Sequence, residues 1–180
     1  MSSLRLVSGK WVGALFTKGL PRSVTPELKA HLAALGIDLE RLEAHYPHET
    51  WVRGLEVTAA ELYQGEVLSE ALRKLGVRVV KALQDSGEIK GPVLAMGKLM
   101  GPRRVLKHLN GQPVKGVDFL RIEVKEKSAH HLEVRFNDGA LGDFVAGAFE
   151  AVLELLGGRH PRVNALVTSA EECVLELTWR

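Results

Sequence analysis

Few residues in this chain have the type and spacing that chemistry needs. Its one thiol is Cys173. Its neighbours Glu172 and Val174 supply no cation to lower a thiol pKa, and it opens a row of inward-facing strand positions. It therefore reads as a buried core side chain rather than a nucleophile. His45, His48 and Glu49 could gather around a metal if one helical turn carried all three. Pro47 starts the helix after His45, the array is not HExxH, and two imidazoles supply half a tetrahedral shell, so surface or capping roles are expected. His130 and His131 are adjacent, and adjacent strand residues face opposite sides. His108 sits near the end of the helical half, where an axial haem ligand could be presented, although a histidine there more commonly meets the free carbonyls of a helix end. Glu171 and Glu172 fall in a polar turn, where solvent keeps both carboxylates ordinary.

Phosphate and nucleophile motifs are missing as well. GxxxxGK[ST] and GxSxG do not occur, and Gly97 and Gly101 lack the strand-before, helix-after setting of a dinucleotide site. The strongest charge pattern is a basic stripe, Lys74, Arg78 and Lys81, with Arg103, Arg104 and Lys107 later. No aromatic residues interleave with it, and Lys+Arg 24 against Asp+Glu 22 leaves a net charge of only +2. A solvated face or an acidic protein partner is expected there, rather than nucleic acid.

The elements that would carry these residues follow from periodicity. Thr25-Pro26-Glu27 places a capping threonine and a first-turn proline ahead of a helix over 25–35, which Gly36 closes. Trp51, Leu55, Ala59 and Leu62 share one helical face, with Glu49, Arg53 and Glu56 opposite; Pro47 begins this helix and Gly65 ends it. Leu68, Leu72, Leu75, Val79 and Leu83 predict a third helix whose buried stripe lies opposite the basic one. Residues 88–108 continue as two short helical pieces, broken at Gly91-Pro92 and Gly101-Pro102.

After a turn-rich link, Asn110 to Gly116, the period becomes two. DFLRIEVKEK and HLEVRF alternate as the strands of a hairpin. A helix follows with Leu141, Phe144, Val145, Ala148, Val152, Leu155 and Leu156 as its apolar face. RVNALVT and CVLELTW are the last two strands. The order is helices, then β-β-α-β-β, and the fold class is α+β, an N-terminal helical half packed on an antiparallel sheet with one long helix.

The 180 residues, 46% hydrophobic and 26% charged, suit one globular domain over 1–180, with a helical subdomain at 1–110 and a sheet subdomain at 117–180. A single cysteine excludes an internal disulfide framework and fits a reducing compartment. The start lacks the apolar core of a signal peptide, and no run of roughly 18 apolar residues suggests a transmembrane segment. A cytoplasmic protein is expected.

Several phrases resemble a known group: GALFTKGL (13–20), LGIDLERLEAHYPHETWVRGLEVTAAELY (35–63), EALRKLG, MGPRRVL (100–106) and the ending GDFVAGAFEAVLELLGGRHPRV…CVLELTW. Together they look like a paralogous family of uncharacterised myxobacterial proteins, in which a YPxxxW element, here Tyr46, Pro47 and Trp51, is the most specific piece. That resemblance implies one domain of this length and carries over no catalytic residue. More distantly, the element order resembles the fold of haem nitric oxide/oxygen-binding sensors, vinyl-reductase-like domains and vesicle-tethering subunits. Those sensors carry YxSxR before the long helix. Here the stretch reads LEVRFNDGALGDF, without the tyrosine or serine, and the cation expected for haem propionates is missing.

The expectation is a non-enzymatic regulatory or sensory module that binds a small apolar ligand, a protein partner, or both, with no catalytic residue or metal. Trp51, Leu55, Phe119 and Phe149 are candidates to line a pocket between helices and sheet, the alternative being that they fill the core. Lys74, Arg78 and Lys81 are the candidates to face a partner or phosphate, and His108 the one candidate haem ligand. Alternatives are an assembly scaffold or homodimer without ligand, a nucleic-acid-binding regulator, a haem-based gas sensor, and an enzyme with unrecognised acid/base groups.

Overall fold

The computed structural model describes residues 5–20, 22–85, 87, 91–112 and 117–180. At the N-terminal end a short antiparallel ribbon pairs β1 (Leu6–Ser8) with β2 (His45–Pro47). Ser8 ends β1 and accepts the N–H of Lys10 on its hydroxyl, which starts α1 (Gly9–Gly13). That helix runs on as a π-helical stretch, Ala14–Gly19. In α2 (Pro26–Ala34) the Thr25 hydroxyl accepts the N–H of Leu28, and Gly36 takes the left-handed conformation, φ +88°, that ends the helix. Both features match the capping pattern in the sequence. Next come α3 (His48–Leu62) and α4 (Leu68–Asp85). Trp51, Leu55 and Ala59 of α3, and Leu72, Leu75 and Val79 of α4, are buried as their spacing predicts. Leu68 differs: it stands 42% exposed, because it is the first residue of α4 and the packing begins a turn later.

The segment expected over 88–108 is α5 (Gly91–Lys107), broken at Gly101, whose φ of 75° and ψ of 163° interrupt the helix just before Pro102. A residue with φ in that range is cheapest as glycine, and a proline cannot continue the hydrogen-bond ladder. Residues 88–90, and 113–116 of the expected link, lie outside the described residues.

A four-stranded antiparallel sheet follows, in the order β3 (Ile122–Ser128), β4 (His131–Phe136), β6 (Cys173–Thr178), β5 (Arg162–Thr168). Leu132, Val134 and Phe136 of β4 and Cys173, Leu175 and Leu177 of β6 are buried, with Trp179 just beyond. These are the faces that alternation predicts, and the α+β architecture with its helical and sheet halves is as expected.

Helix α6 (Gly142–Leu155) departs from its expected single apolar face. Ala146, Phe149 and Leu153 belong to the sheet core, while Leu141 and the half-buried Phe144 pack into the helical core. The helix is enclosed on two sides, as its nearly continuous apolar sequence requires. On the side away from the sheet it meets α4 backbone to backbone. A Cβ on Gly76 would lie 2.0 Å from the Phe144 carbonyl oxygen, and one on Gly147 would lie 1.9 Å from that of Arg73. Arg73 then reaches across to Glu150 of α6 and to the Val163 carbonyl of β5, joining three elements.

Gly147→Ala is expected to cost on the order of 3 kcal/mol in urea denaturation, because backbone rather than a movable side chain must give way. Gly91→Ala, in open space, should stay within about 0.5 kcal/mol; equal losses would show that the helices can separate freely. A second test concerns Asp143, in the first turn of α6, whose carboxyl pKa is raised by burial against the opposing pull of Arg73. A raised pKa means the folded state holds the proton more tightly, so this group's contribution to stability falls as pH rises through that value. Asp143→Asn should therefore raise the melting temperature at pH 7, with the gain shrinking as pH falls through the raised value and absent below the ordinary aspartate range.

Candidate functional site

Where the helical half meets the sheet half, the turn Asn137-Asp138-Gly139 organises a buried polar cluster. The Asn137 side chain accepts the N–H of Arg121 at 2.7 Å and donates to the Phe119 carbonyl at 2.9 Å, which fixes the turn that carries Phe119. Asp138 is fully buried, with one carboxylate oxygen accepting the Ala140 N–H at 3.1 Å. Its other oxygen faces His48 Nε2 at 2.7 Å. His48 opens α3, and its own N–H is held by the Arg5 carbonyl at 3.0 Å. Its ring meets the Phe119 ring edge-on at 4.9 Å, and the Arg5 guanidinium lies 4.9 Å above Phe119 while donating to the Asn137 carbonyl at 3.2 Å.

An imidazole and a carboxylate at this distance are the parts of an acid/base pair. Here they are 8% and 0% exposed, and neither lines the hollow beside α4 described below. The pair ties α3 to the loop before α6. Sequence reading placed His48 at the surface or as a cap, and it missed the pairing because Asp138 lies in a different half of the chain.

The other candidates are placed as follows. Trp51 and Leu55 lie in the helical core, Phe149 lies in the sheet core, and Phe119 packs half-buried between His48 and Arg5. His45 is exposed on β2, away from His48, and no group of three metal-ligating side chains occurs among the described residues. Cys173 is buried in the sheet core.

Lys74, Arg78 and Lys81 stand exposed on the outer face of α4. They edge an open hollow of about 720 Å³ whose apolar lining includes Leu20, Tyr63, Val77 and Ala82. Lys74 pairs with Glu66 at 2.7 Å and lies 5.9 Å from the Tyr63 ring centroid. The Glu66 hydrogen bond raises the Lys74 pKa despite the opposing desolvation. Arg78 donates to the Ser23 hydroxyl, and Lys81 pairs with Glu154 at 3.2 Å. These bonds orient the cations, but such exposed pairs cost little to exchange for a partner's carboxylates.

Haem needs an axial ligand for its iron, most simply an uncommitted imidazole nitrogen beside a flat apolar slot. Here His48 Nε2 faces Asp138, His31 pairs with Glu61, and His131 pairs with Glu176. His130 packs against Trp179. His45, His108 and His160 are exposed, with His108 just past the end of α5. Between α4 and α6 the backbones touch at Gly76 and Gly147, which leaves no room there for a porphyrin. These residues do not fit haem.

Asp138→Ala removes the buried carboxylate that His48 Nε2 faces at 2.7 Å. A loss of about 1–3 kcal/mol in urea denaturation is expected. His48→Phe, which also removes the imidazole, should make the second substitution nearly free, the coupling that defines a direct pair. Additive effects would show that the two groups do not depend on one another.

The fold is shared with haem-sensor domains. The chain superposes on the Fe(II) unliganded H-NOX protein from K. algicida with a TM-score of 0.66 at 14% identity, covering 93% of this chain and 96% of that one. It superposes on an oxygen-binding H-NOX domain related to soluble guanylate cyclases with a TM-score of 0.63 at 14% identity, covering 96% and 95%. A point variant of the T. tengcongensis H-NOX gives 0.62 at 14% identity, covering 96% and 97%. Among the described residues no helix is long and apolar enough to cross a membrane. No curated protein matches the chain. Over residues 5–180 it matches the family described as a protein of unknown function, DUF2378, and it belongs to that family.

Proposed function

We propose that this chain is a non-enzymatic regulatory module that works by binding a protein partner at the outer face of α4. The observation that carries this reading is the hollow beside Lys74, Arg78 and Lys81. An apolar floor from Leu20, Val77 and Ala82 with charged residues at the edge has the anatomy of a protein interface, a hydrophobic centre within a polar rim. It is open rather than enclosed, which suits a protruding side chain of a partner better than a small molecule that must be mostly buried. The excess of cations around it favours a partner that sets carboxylates around an apolar anchor.

The likeness to H-NOX domains supports a sensory role only by analogy of fold. Haem is not part of the proposal, since the histidines are committed or exposed. The apolar-ligand reading ranks second, because Trp51, Leu55 and Phe149 are buried in two separate cores instead of sharing a hollow.

A photo-crosslinking residue at Val77, with the protein expressed in its own host, should give a discrete adduct with a second polypeptide. The adduct should fall at least tenfold when Arg78→Glu and Lys81→Glu are combined, and should persist when exposed Arg162 is reversed to Glu. An adduct indifferent to charge reversal on α4 would remove this surface from the proposal. Stoichiometric haem, or an apolar molecule retained only by the folded protein in native mass spectrometry, would replace the partner reading with a ligand-binding one.

A further inference from the structure

The cations around the α4 hollow are not equivalent. Arg73 already holds Glu150, Lys74 holds Glu66, and Lys81 holds Glu154. Arg78 differs from them. Its guanidinium donates to the Ser23 hydroxyl, a neutral acceptor, and it makes no ion pair among the described residues. Arg22, next to Ser23 in the chain, lines the same hollow and likewise makes no ion pair among the described residues. Of the two carboxylates in the lining, Glu150 belongs to Arg73. The other, Asp85, is the last residue of α4, and its seven-residue separation from Arg78 is roughly 10 Å along a helix axis. Two guanidinium charges therefore stand at the Ser23 corner of the hollow without an ion-pair partner.

That corner is held from both sides. The Ser23 N–H donates to the Leu20 carbonyl at 2.9 Å, and Thr25, two residues on, caps α2 through the Leu28 N–H at 3.1 Å. The serine hydroxyl accepts from Arg78, which leaves its own proton to donate to an incoming oxygen. Such a corner matches a dianion. A carboxylate brings one negative charge, which balances one guanidinium. A phosphate monoester brings about −1.5 to −2 at pH 7 and three strong acceptor oxygens, enough for two guanidiniums and a hydroxyl together. Guanidinium forks also suit phosphate oxygens geometrically, in parallel pairs of hydrogen bonds. Beside the corner, the apolar floor from Leu20, Val77 and Ala82, with Tyr63 in the same lining, gives the carbon part of the ester a surface to lie on. An aryl ester covers that floor, whereas a short alkyl ester leaves it wet.

We propose that the partner docked on α4 presents a phosphorylated tyrosine side chain, its phosphate bound by Arg22, Arg78 and the Ser23 hydroxyl and its ring lying on the apolar floor. The inference rests on the partner reading of this same face and names the group that enters the hollow. Lys74 and Lys81, whose present partners are carboxylates, keep the role of meeting carboxylates on the rim.

Phenyl phosphate, a small probe with both parts, tests the site on the whole chain by chemical-shift titration. It should bind at least about tenfold more tightly than benzoate or phenyl sulfate, which keep the ring and carry one charge. Arg22→Gln and Arg78→Gln should each weaken it about tenfold, as loss of a hydrogen bond to a charged group does. Arg162→Gln, at an exposed position of β5 outside this hollow, should leave it unchanged. Both arginines of the corner are exposed, so an unchanged urea midpoint shows that folding is not the cause. Equal affinity for phenyl phosphate and benzoate, or equal affinity in wild type and Arg78→Gln, would overturn the proposal. The Val77 crosslink separates this inference from the reading beneath it. Phosphatase treatment of a host lysate before irradiation should lower the adduct at least about tenfold. An adduct indifferent to phosphatase would overturn the phosphate and leave the partner. Phenyl phosphate binding with no adduct at all would overturn the partner and leave the arginines to a free aryl phosphate.

Discussion

The approach of α4 to α6 through Gly76 and Gly147 is the contact on which the rest of the arrangement depends. Helix axes ordinarily stand 8–10 Å apart because side chains hold them off. Glycine on both sides, each facing the other helix's backbone, lets these two settle closer than any Cβ would allow. Glycine inside a helix is otherwise a loss of about 1 kcal/mol against alanine, so each must gain that back through contact. With α4 seated this way, Arg73 reaches Glu150 and the Val163 carbonyl. One long side chain thereby ties both helices to the edge strand β5. The sheet core and helical core then lie on opposite sides of α6, and the half-buried Leu120 and Val145 touch both.

The second tie between the halves is polar. Burying an imidazole and a carboxylate removes both from water, and the pair recovers the cost only where the geometry is good and the remaining polar atoms are satisfied. Asp138 meets part of that condition through the Ala140 N–H, and its neighbour Asn137 bonds both Arg121 and Phe119. The cluster specifies position more than it adds stability. A hydrophobic contact tolerates sliding, whereas separating the buried Asp138 carboxylate from the His48 ring would leave both uncompensated, and His48 is the first residue of α3. The β1–β2 ribbon contributes to the same end, because the Arg5 carbonyl holds the His48 N–H while the Arg5 guanidinium covers Phe119.

Much of this architecture is legible from sequence because it is local. Thr25-Pro26 and Gly36 bracket α2 where capping rules put them, Gly101-Pro102 breaks α5, and alternation in HLEVRF and CVLELTW identifies the buried faces of the two central strands. What escapes sequence reading is set by partners far along the chain. Nothing near His48 announces Asp138, 90 positions later. A single apolar face is the natural reading of α6, because the row 141, 144, 145, 148 is complete in itself. Ala146, Phe149 and Leu153 look redundant until a sheet is placed against them. Helical glycines carry no mark that separates a close approach from a weak spot. Trp51, Leu55, Phe119 and Phe149 are large and apolar, a property that core filling and ligand lining share. The basic stripe on α4, by contrast, is legible in its spacing, and only the hollow beside it depends on the fold.

An H-NOX-like fold whose histidines are committed or exposed raises the question of what the fold still provides. Two halves joined at α4–α6 and again at His48–Asp138 form a body whose relative placement is fixed at two separated points. Such a body transmits a change at one surface to another only if a contact at that surface shifts a helix that one of these ties holds. Helix α4 is held by the first tie, with Gly76 on its inner face and Lys74, Arg78 and Lys81 on its outer face. A partner bound on the outer face would act on the same rigid element that meets α6, and α6 in turn carries Leu156, just past its end, against Gly97 of α5. Occupancy of the α4 face would change the placement of α6 only if the partner bound one arrangement of the two helices better than another.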